Sequence, residues 1–257
     1  HINKTVNVFN LKNGKREKFI PLFEDKKNWT GGTPWSGVAY DSLNQILYTS
    51  TGNPQPSLYG VKRFGNNEGS SSIIAVDIKN SKILWKFQDV FHDLWDFDIA
   101  FPPILDDITI DGKKFPIVVA IPKTGNLILL ERFSGKPLFD IEYQKVEASI
   151  VDGEIASHYQ RNYLETDRIS QIEYNFDDID KLDQNKKDEI IKILKDYQFG
   201  NFKPPRFDKF TIMYGIHGGG EWSGGSLDPY NDALFVPVNN YPWKLKPYFF
   251  STEIGNN

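Results

Sequence analysis

Short apolar runs alternate with compact polar turns along most of the chain, and one shape recurs. Ile73-Ile-Ala-Val-Asp-Ile-Lys-Asn-Ser-Lys-Ile-Leu-Trp85 reads as a strand, a polar turn and a second strand closed by an aromatic residue. Asn126-Leu-Ile-Leu-Leu-Glu-Arg-Phe-Ser-Gly-Lys-Pro-Leu-Phe139 repeats the shape, and Val6-Asn-Val-Phe-Asn-Leu-Lys-Asn-Gly-Lys15 is a weaker copy. The stretches from Val38 to Tyr48 and from Gly225 to Phe235 are two further variants. A hairpin cannot bury its own apolar face, so regularly spaced copies must stack on one another or be set radially about an axis. The pattern predicts an all-β chain, a β-propeller of four-stranded blades. At roughly 40 to 50 residues per blade, the repetitive parts supply about four of them.

The copies vanish from about Ser149 to Arg206. Within that stretch the apolar spacing predicts a helix over Asn185–Gln198, with Ile190, Ile191, Leu194 and Tyr197 on one face, and Gly200 and Pro204-Pro205 as stop signals. The expected organisation is propeller blades over 1–148, an insertion with one helix over 149–206, and a further blade over 207–257. The acidic run Asp177, Asp178, Asp180 and Asp183 lacks the glycine and the closing glutamate of a calcium-binding helix–loop–helix. It reads as a solvated lead-in to the helix.

Composition narrows the function classes. The 257 residues carry 30 Lys and Arg against 34 Asp and Glu, a net charge of −4, without the basic excess that binding nucleic acid requires. Apolar stretches such as Phe115 to Pro122 are too short for a membrane-spanning helix. The absence of Cys excludes disulfides, thiolate metal sites, cysteine nucleophiles and covalent haem attachment within this chain. The first residue is His1 and the only Met is Met213, so the chain reads as part of a longer product whose targeting signal would lie upstream. Asn3-Lys-Thr5 and Asn28-Trp-Thr30 fit the N-glycosylation pattern, which also arises by chance.

Three clusters have chemical potential. Phe91-His-Asp-Leu-Trp-Asp-Phe-Asp98 interleaves three carboxylates and a histidine with large aromatics; such carboxylates serve as bases or hard-metal ligands, or simply cap turns while Trp95 and Phe97 fill a core. Gly31-Gly-Thr-Pro-Trp35 offers a close backbone approach and a flat indole, and Thr51-Gly-Asn-Pro54 an amide oxygen suited to calcium. Gly218-Gly-Gly-Glu-Trp-Ser-Gly-Gly225 has no phosphate-loop lysine and reads as a glycine-rich entry to a blade.

Taken jointly, these phrases resemble the pyrroloquinoline quinone (PQQ) dependent dehydrogenases, most closely the membrane-bound glucose, polyol and quinate branch. GGTPWSG, TGNP, SSSIIAVD, FQDVFHDLWDFD, PKTGNLILLERFSGKP, GGGEWSGGSLDP and VNNYPW occur in the family's order. The resemblance implies an eight-bladed propeller, about half to two-thirds of it present here, with PQQ and Ca²⁺ over the central axis. It implies that Trp35 stacks on the quinone and that Thr33 contacts a PQQ carboxylate. Asn53 and Asp96 would be calcium ligands, Asp96 also the catalytic base, Lys123 the cation beside the reactive carbonyl, and Asn239 a residue at the cofactor rim. The family's glutamate calcium ligand would lie upstream. Its usual Thr-Gly hairpin turn is replaced by Asn80-Ser81.

The expected activity is oxidation of an alcohol, polyol or aldose by base-assisted hydride transfer to PQQ, with electrons passed to a membrane quinone. The expected location is the periplasm, at the inner membrane if a segment outside this chain anchors it. A non-catalytic propeller that binds protein partners, or an inactive truncated product, is the alternative.

Overall fold

The computed structural model describes residues 4–23, 28–171, 173–174 and 177–247, so the Asn3 acceptor pattern lies outside the described residues. The first elements are the hairpin β1 (Thr5–Phe9) and β2 (Arg16–Pro21) and the short strand β3 (Thr30–Gly31). Next come β4 (Val38–Asp41), β5 (Ile46–Ser50), β6 (Pro54–Gln55), β7 (Ser72–Asp77) and β8 (Lys82–Gln88). Strands β4-β5-β7-β8 form one antiparallel four-stranded sheet, and β3 pairs with β6. A three-stranded sheet follows, β9 (Ile104–Ile110), β10 (Lys113–Ala120) and β11 (Ile128–Glu131), and then the hairpin β12 (Ile141–Lys145) and β13 (Tyr159–Tyr163).

After helices α1 (Asp177–Asp180) and α2 (Gln184–Leu194), β14 (Tyr197–Gln198) runs parallel to β15 (Phe210–Met213). Two short ladders complete the order: β16 (Gly219–Gly220) pairs with β19 (Val238–Asn239), and β17 (Ser226–Asp228) with β18 (Ala233–Phe235). The last strand, β20 (Trp243–Leu245), pairs with β15. The all-β propeller architecture expected from the repeats is the one observed. Among the described residues no helix is long and apolar enough to cross a membrane.

All five repeat copies close with one turn geometry. An acidic or amide side chain at its first position caps the turn, and the residue four places on is left-handed. The pairs are Asn10 and Gly14, Asp41 and Gln45, Asp77 and Ser81, Glu131 and Gly135, Asp228 and Asp232. At Asp77, for example, the carboxylate accepts the Asn80 backbone N–H at 2.9 Å and its side-chain amide at 2.7 Å. Glycine is the unstrained choice at the left-handed position, and Ser81 occupies it with φ of 54°.

Strand β7 of the sheet β4-β5-β7-β8 is buried on both faces, which explains why it is largely apolar instead of alternating. Ile73 and Ala75 face a core shared with Tyr48, Phe87, Val118, Ile128 and Leu130. Ile74 and Val76 face the opposite way onto Val6, Ile20 and Leu22 of the first hairpin. Sheets thus stack face to face through period-two alternation. Trp85 fastens two of them: its indole N–H donates to the Arg132 carbonyl at 3.0 Å and its ring lies over Gly135.

The helix is shorter than its apolar spacing predicts. It starts at Asp183, whose side chain accepts the Lys186 backbone N–H at 3.1 Å, and ends at Leu194. Tyr197 is drawn out of the helical pattern because it pairs in β14 with Phe210, their rings 5.2 Å apart. No residue of α2 is fully buried, so little packing holds a further turn.

The two left-handed positions with different neighbours make opposite predictions. Ser81→Gly relieves backbone strain and should stabilise the chain by about 1 kcal/mol. Gly135→Ala adds strain and places a Cβ 2.6 Å from Trp85 Cδ2, and should cost about 2–3 kcal/mol. Urea denaturation of the two variants measures both.

Candidate active site

Two turns bring the charged groups together. Lys123 follows β10 on the turn Pro122–Gly125, where Gly125 N–H donates to the Pro122 carbonyl at 2.9 Å and Gly125 is left-handed. The Lys123 backbone N–H donates to the Asp98 carbonyl at 3.1 Å, which clamps this turn onto the 91–98 segment. Its Nζ lies 2.8 Å from both Asp96 Oδ2 and Asp98 Oδ1. The other Asp98 oxygen accepts the Trp35 indole N–H at 2.8 Å. Trp35, Asp98, Lys123 and Asp96 therefore form one continuous polar chain.

Exposure rises along that chain. The Asp98 side chain is 2% exposed, Lys123 10% and Asp96 24%, while Trp35 is half exposed. Burial alone pushes the Lys123 ammonium towards losing its proton, but Asp98 and then Asp96 outweigh it and hold its pKa above the ordinary value. Burial raises the Asp98 pKa against the opposing pull of Lys123. Trp35, Lys123 and Asp96 line a pocket of about 460 Å³ together with Ile216–Gly218 and Gly220–Trp222, while Asp98 lies behind them.

The rest of the motif Phe91–Asp98 divides by role. Asp93 is fully buried and turns inward: Oδ1 accepts the backbone N–H of Trp95 at 2.9 Å and of Phe97 at 3.1 Å, and Oδ2 accepts the Ser71 hydroxyl. Burial first, then the neighbouring Asp96, pushes its pKa up to about 6. Trp95 and Phe97 pack into a core with Val90, Leu94, Phe202 and Met213. Asp96 lies between the two N–H groups that Asp93 holds and has φ of 61°, a strained conformation for a residue with a Cβ.

Of the residues singled out in the sequence, Trp35, Asp96, Lys123 and Asn239 line this pocket together. Thr33 and Asn53 are not among its lining residues. The Thr33 carbonyl accepts the Gly52 N–H at 3.0 Å, and the Asn53 carbonyl the Gly32 N–H at 2.8 Å. Gly52 in turn lies against the Trp35 ring, so these two residues support the indole through backbone contacts. The Asn53 amide donates to Ser57 Oγ at 2.6 Å, and Asp96 Oδ2 is engaged by Lys123. Among the described residues no three His, Cys, Asp or Glu side chains gather as a metal site. The donors this chain supplies do not by themselves build a calcium centre. A planar, anionic cofactor does suit the pocket chemistry, with a half-exposed indole beside a buried ammonium.

The sequence reading missed two features. Asp98 appeared only as one of three carboxylates, whereas it is the buried anchor of both Lys123 and Trp35. The glycine-rich entry also lines the pocket, through Gly218, Gly220, Glu221 and Trp222. Gly219 and Gly220 are required there, since a Cβ at Gly220 would lie 2.6 Å from the Ile121 carbonyl oxygen. A run of glycines around Glu and Trp was the available signal.

Residues 8–250 match the family model described as PQQ, glucose/ethanol/alcohol dehydrogenase, β-propeller domain. The chain belongs to this family. Among curated members of the PQQ dehydrogenase family it is 29% identical to quinoprotein glucose dehydrogenase of Escherichia coli strain K12 over 88% of the chain. It is 28% identical to the glycerol dehydrogenase large subunit of Gluconobacter thailandicus over 84% of the chain, and 29% identical to a probable quinate dehydrogenase (quinone) of Xanthomonas campestris pv. juglandis over 79%. It covers 29%, 30% and 26% of these relatives, under a third of their length. A crystal structure of quinohemoprotein alcohol dehydrogenase from Comamonas testosteroni shares the fold, with a TM-score of 0.61 at 22% identity, covering 93% of this chain and 34% of that one.

The turn that carries Lys123 rests on a second buried carboxylate with a measurable signature. Asp89 accepts hydrogen bonds from the Tyr163 and Thr124 hydroxyls, and burial pushes its pKa from 3.8 up to about 6. The folded state therefore holds this proton more tightly than the unfolded one, and stability is lost as pH rises from about 4 through about 6. The expected loss is on the order of 3 kcal/mol. Asp89→Asn should remove that part of the slope, as read by urea denaturation at pH 4, 5, 6 and 7.

Proposed function

We propose that this chain is the site-bearing part of a PQQ-dependent dehydrogenase that oxidises an alcohol, polyol or aldose and passes the electrons to a quinone acceptor. The observation that carries this reading is that Trp35, Lys123 and Asp96 line one pocket and are joined through the buried Asp98, in a member of this family. When bound, PQQ supplies the two-electron acceptor.

The residues present account for the remaining requirements. Oxidising an alcohol removes the hydroxyl proton as hydride leaves carbon, and Asp96, the most exposed of the three charged groups, takes that proton. Lys123, kept as an ammonium by its two carboxylates, sits where it stabilises negative charge developing on a carbonyl oxygen in the pocket. Its two carboxylates also fix its position in advance, so little reorganisation accompanies the reaction. Trp35 presents a flat face for stacking, and its hydrogen bond to Asp98 sets the plane of the ring. Asn239 stands at the rim, where its side-chain oxygen accepts the Tyr241 N–H at 2.8 Å. Thr33 is assigned to a carboxylate of the cofactor, and Asn53 and Asp96 to Ca²⁺, on resemblance alone, and no step above uses the metal. The same resemblance assigns the whole protein to the periplasm.

In the full-length protein, Asp96→Asn should lower kcat by about 10²–10⁴-fold while leaving the unfolding midpoint in place, measured with an artificial electron acceptor across alcohols and aldoses. Retained turnover would remove Asp96 from the base role.

Titration of the full-length protein with PQQ, with and without Ca²⁺, should quench Trp fluorescence. Trp35→Ala should weaken the affinity by about 2- to 12-fold, the worth of one stacked aromatic. Equal affinity in variant and parent would contradict the stacking assignment, and saturation independent of Ca²⁺ would contradict the metal assignment.

A further inference from the structure

The stretch 149–206 touches three loops that carry site residues, those of Asp96, Lys123 and Asn239. Behind Asp96, the Gln160 side chain accepts the Phe91 N–H at 2.9 Å and donates to the Phe91 carbonyl at 2.6 Å. The Trp95 indole donates to the Lys203 carbonyl at 2.8 Å, and the Phe202 ring sits edge-on to Trp95 and Phe97. Behind Lys123, the Ile169 N–H donates to the Gly125 carbonyl at 2.8 Å. Beside Asn239, the Gln171 N–H donates to Asn240 Oδ1 at 2.8 Å.

The most buried of these links joins Glu154 to His92, with side chains 2% and 1% exposed. Glu154 Oε1 lies 2.8 Å from His92 Nε2, and Oε2 accepts the Gly60 N–H at 2.8 Å. The Gly65 carbonyl is an acceptor only, so His92 Nδ1 donates to it, at 2.8 Å. Both ring nitrogens are engaged, and one proton is held between Nε2 and Oε1. Gly60 has no room for a side chain, since a Cβ there would collide with His92, Glu154 and Arg63 together.

His92 opens the turn that ends at Asp96, and both residues are left-handed, with φ of 48° and 61°. Each such conformation costs a residue with a Cβ about 1–2 kcal/mol and persists only where the surroundings over-determine it. The surroundings here are the pinned His92 ring, the Asp93 carboxylate spanning Asp96, and the fully buried Arg63, which donates to the Asp93 carbonyl at 2.8 Å.

We propose that Glu154 is a positioning residue: acting through His92, it holds the 92–96 turn in the strained conformation that brings Asp96 to Lys123, so that stretch 149–206 braces the site from behind. The consequence for turnover rests on the reading of Asp96 as the base; the consequence for the turn does not.

The test uses the full-length protein and two variants. Glu154→Leu removes both acceptor oxygens, the one at His92 and the one at the Gly60 N–H, at similar size. Gly60→Ala leaves every charged group in place and wedges a methyl group into the junction. Hydrogen–deuterium exchange in the unliganded protein should rise about tenfold or more over residues 91–98 in both variants and stay unchanged over the distant hairpin 226–235. In the PQQ-loaded enzyme kcat should fall about 10- to 100-fold, with KM and PQQ affinity within about threefold of the parent. Unchanged exchange at 91–98 would overturn the proposal, as would faster exchange with unaltered kcat while Asp96→Asn remains inactive. A parallel fall in PQQ affinity and global stability would also overturn it, by reducing Glu154 to a general structural role. If Glu154→Leu does not fold, Gly60→Ala carries the same readouts. Turnover that survives Asp96→Asn would sink the base reading and leave the exchange measurement as the test of the brace.

Discussion

The geometry of the site depends on one buried cation. Lys123 Nζ holds Asp96 and Asp98 at equal distances of 2.8 Å, and a carboxylate with a side chain only 2% exposed is tolerable only beside such a partner. Removing the ammonium would leave two facing carboxylates, one of them deep in the protein. Because Asp98 also accepts the Trp35 indole N–H, the same cation sets the plane of the aromatic floor. Charge balance and ring orientation are thus one constraint, imposed where the turn after β10 crosses the 91–98 segment.

The stacked sheets exist to hold those two segments in place. β7 is buried on both faces, so its register against β5 and β8 is strongly specified, since a one-residue slip would exchange the side chains of its two cores. The site segments leave this framework directly after β8 and β10. Asp89 follows β8, its N–H donating to the Ser71 carbonyl, and Lys123 follows β10 by three residues. The strands therefore aim the site segments, and within 91–98 the left-handed positions are His92 and Asp96.

Function divides between what the pocket does itself and what a bound group supplies. A partly exposed carboxylate, a fixed cation, a flat ring and a glycine-lined wall all come from this chain. The redox equivalents do not, which is why membership of the PQQ dehydrogenase family matters to the reading.

The amino-acid pattern alone determined the features that depend on near neighbours. The five hairpin turns were legible because an acidic or amide residue and a left-handed residue four places later act within one turn. The likeness of seven short phrases to one family also selected Trp35, Asp96, Lys123 and Asn239, which share the pocket. Tertiary structure decided the rest, because it joins residues far apart in the chain whose separation carries no local signal. Asp98 reaches Trp35, Glu154 reaches His92, and Tyr197 gives up a helical place to pair with Phe210. Each carboxylate in Phe91–Asp98 has the same local character, and only the partner that folding brings to it makes one a turn cap, one an anchor and one the open end of the site.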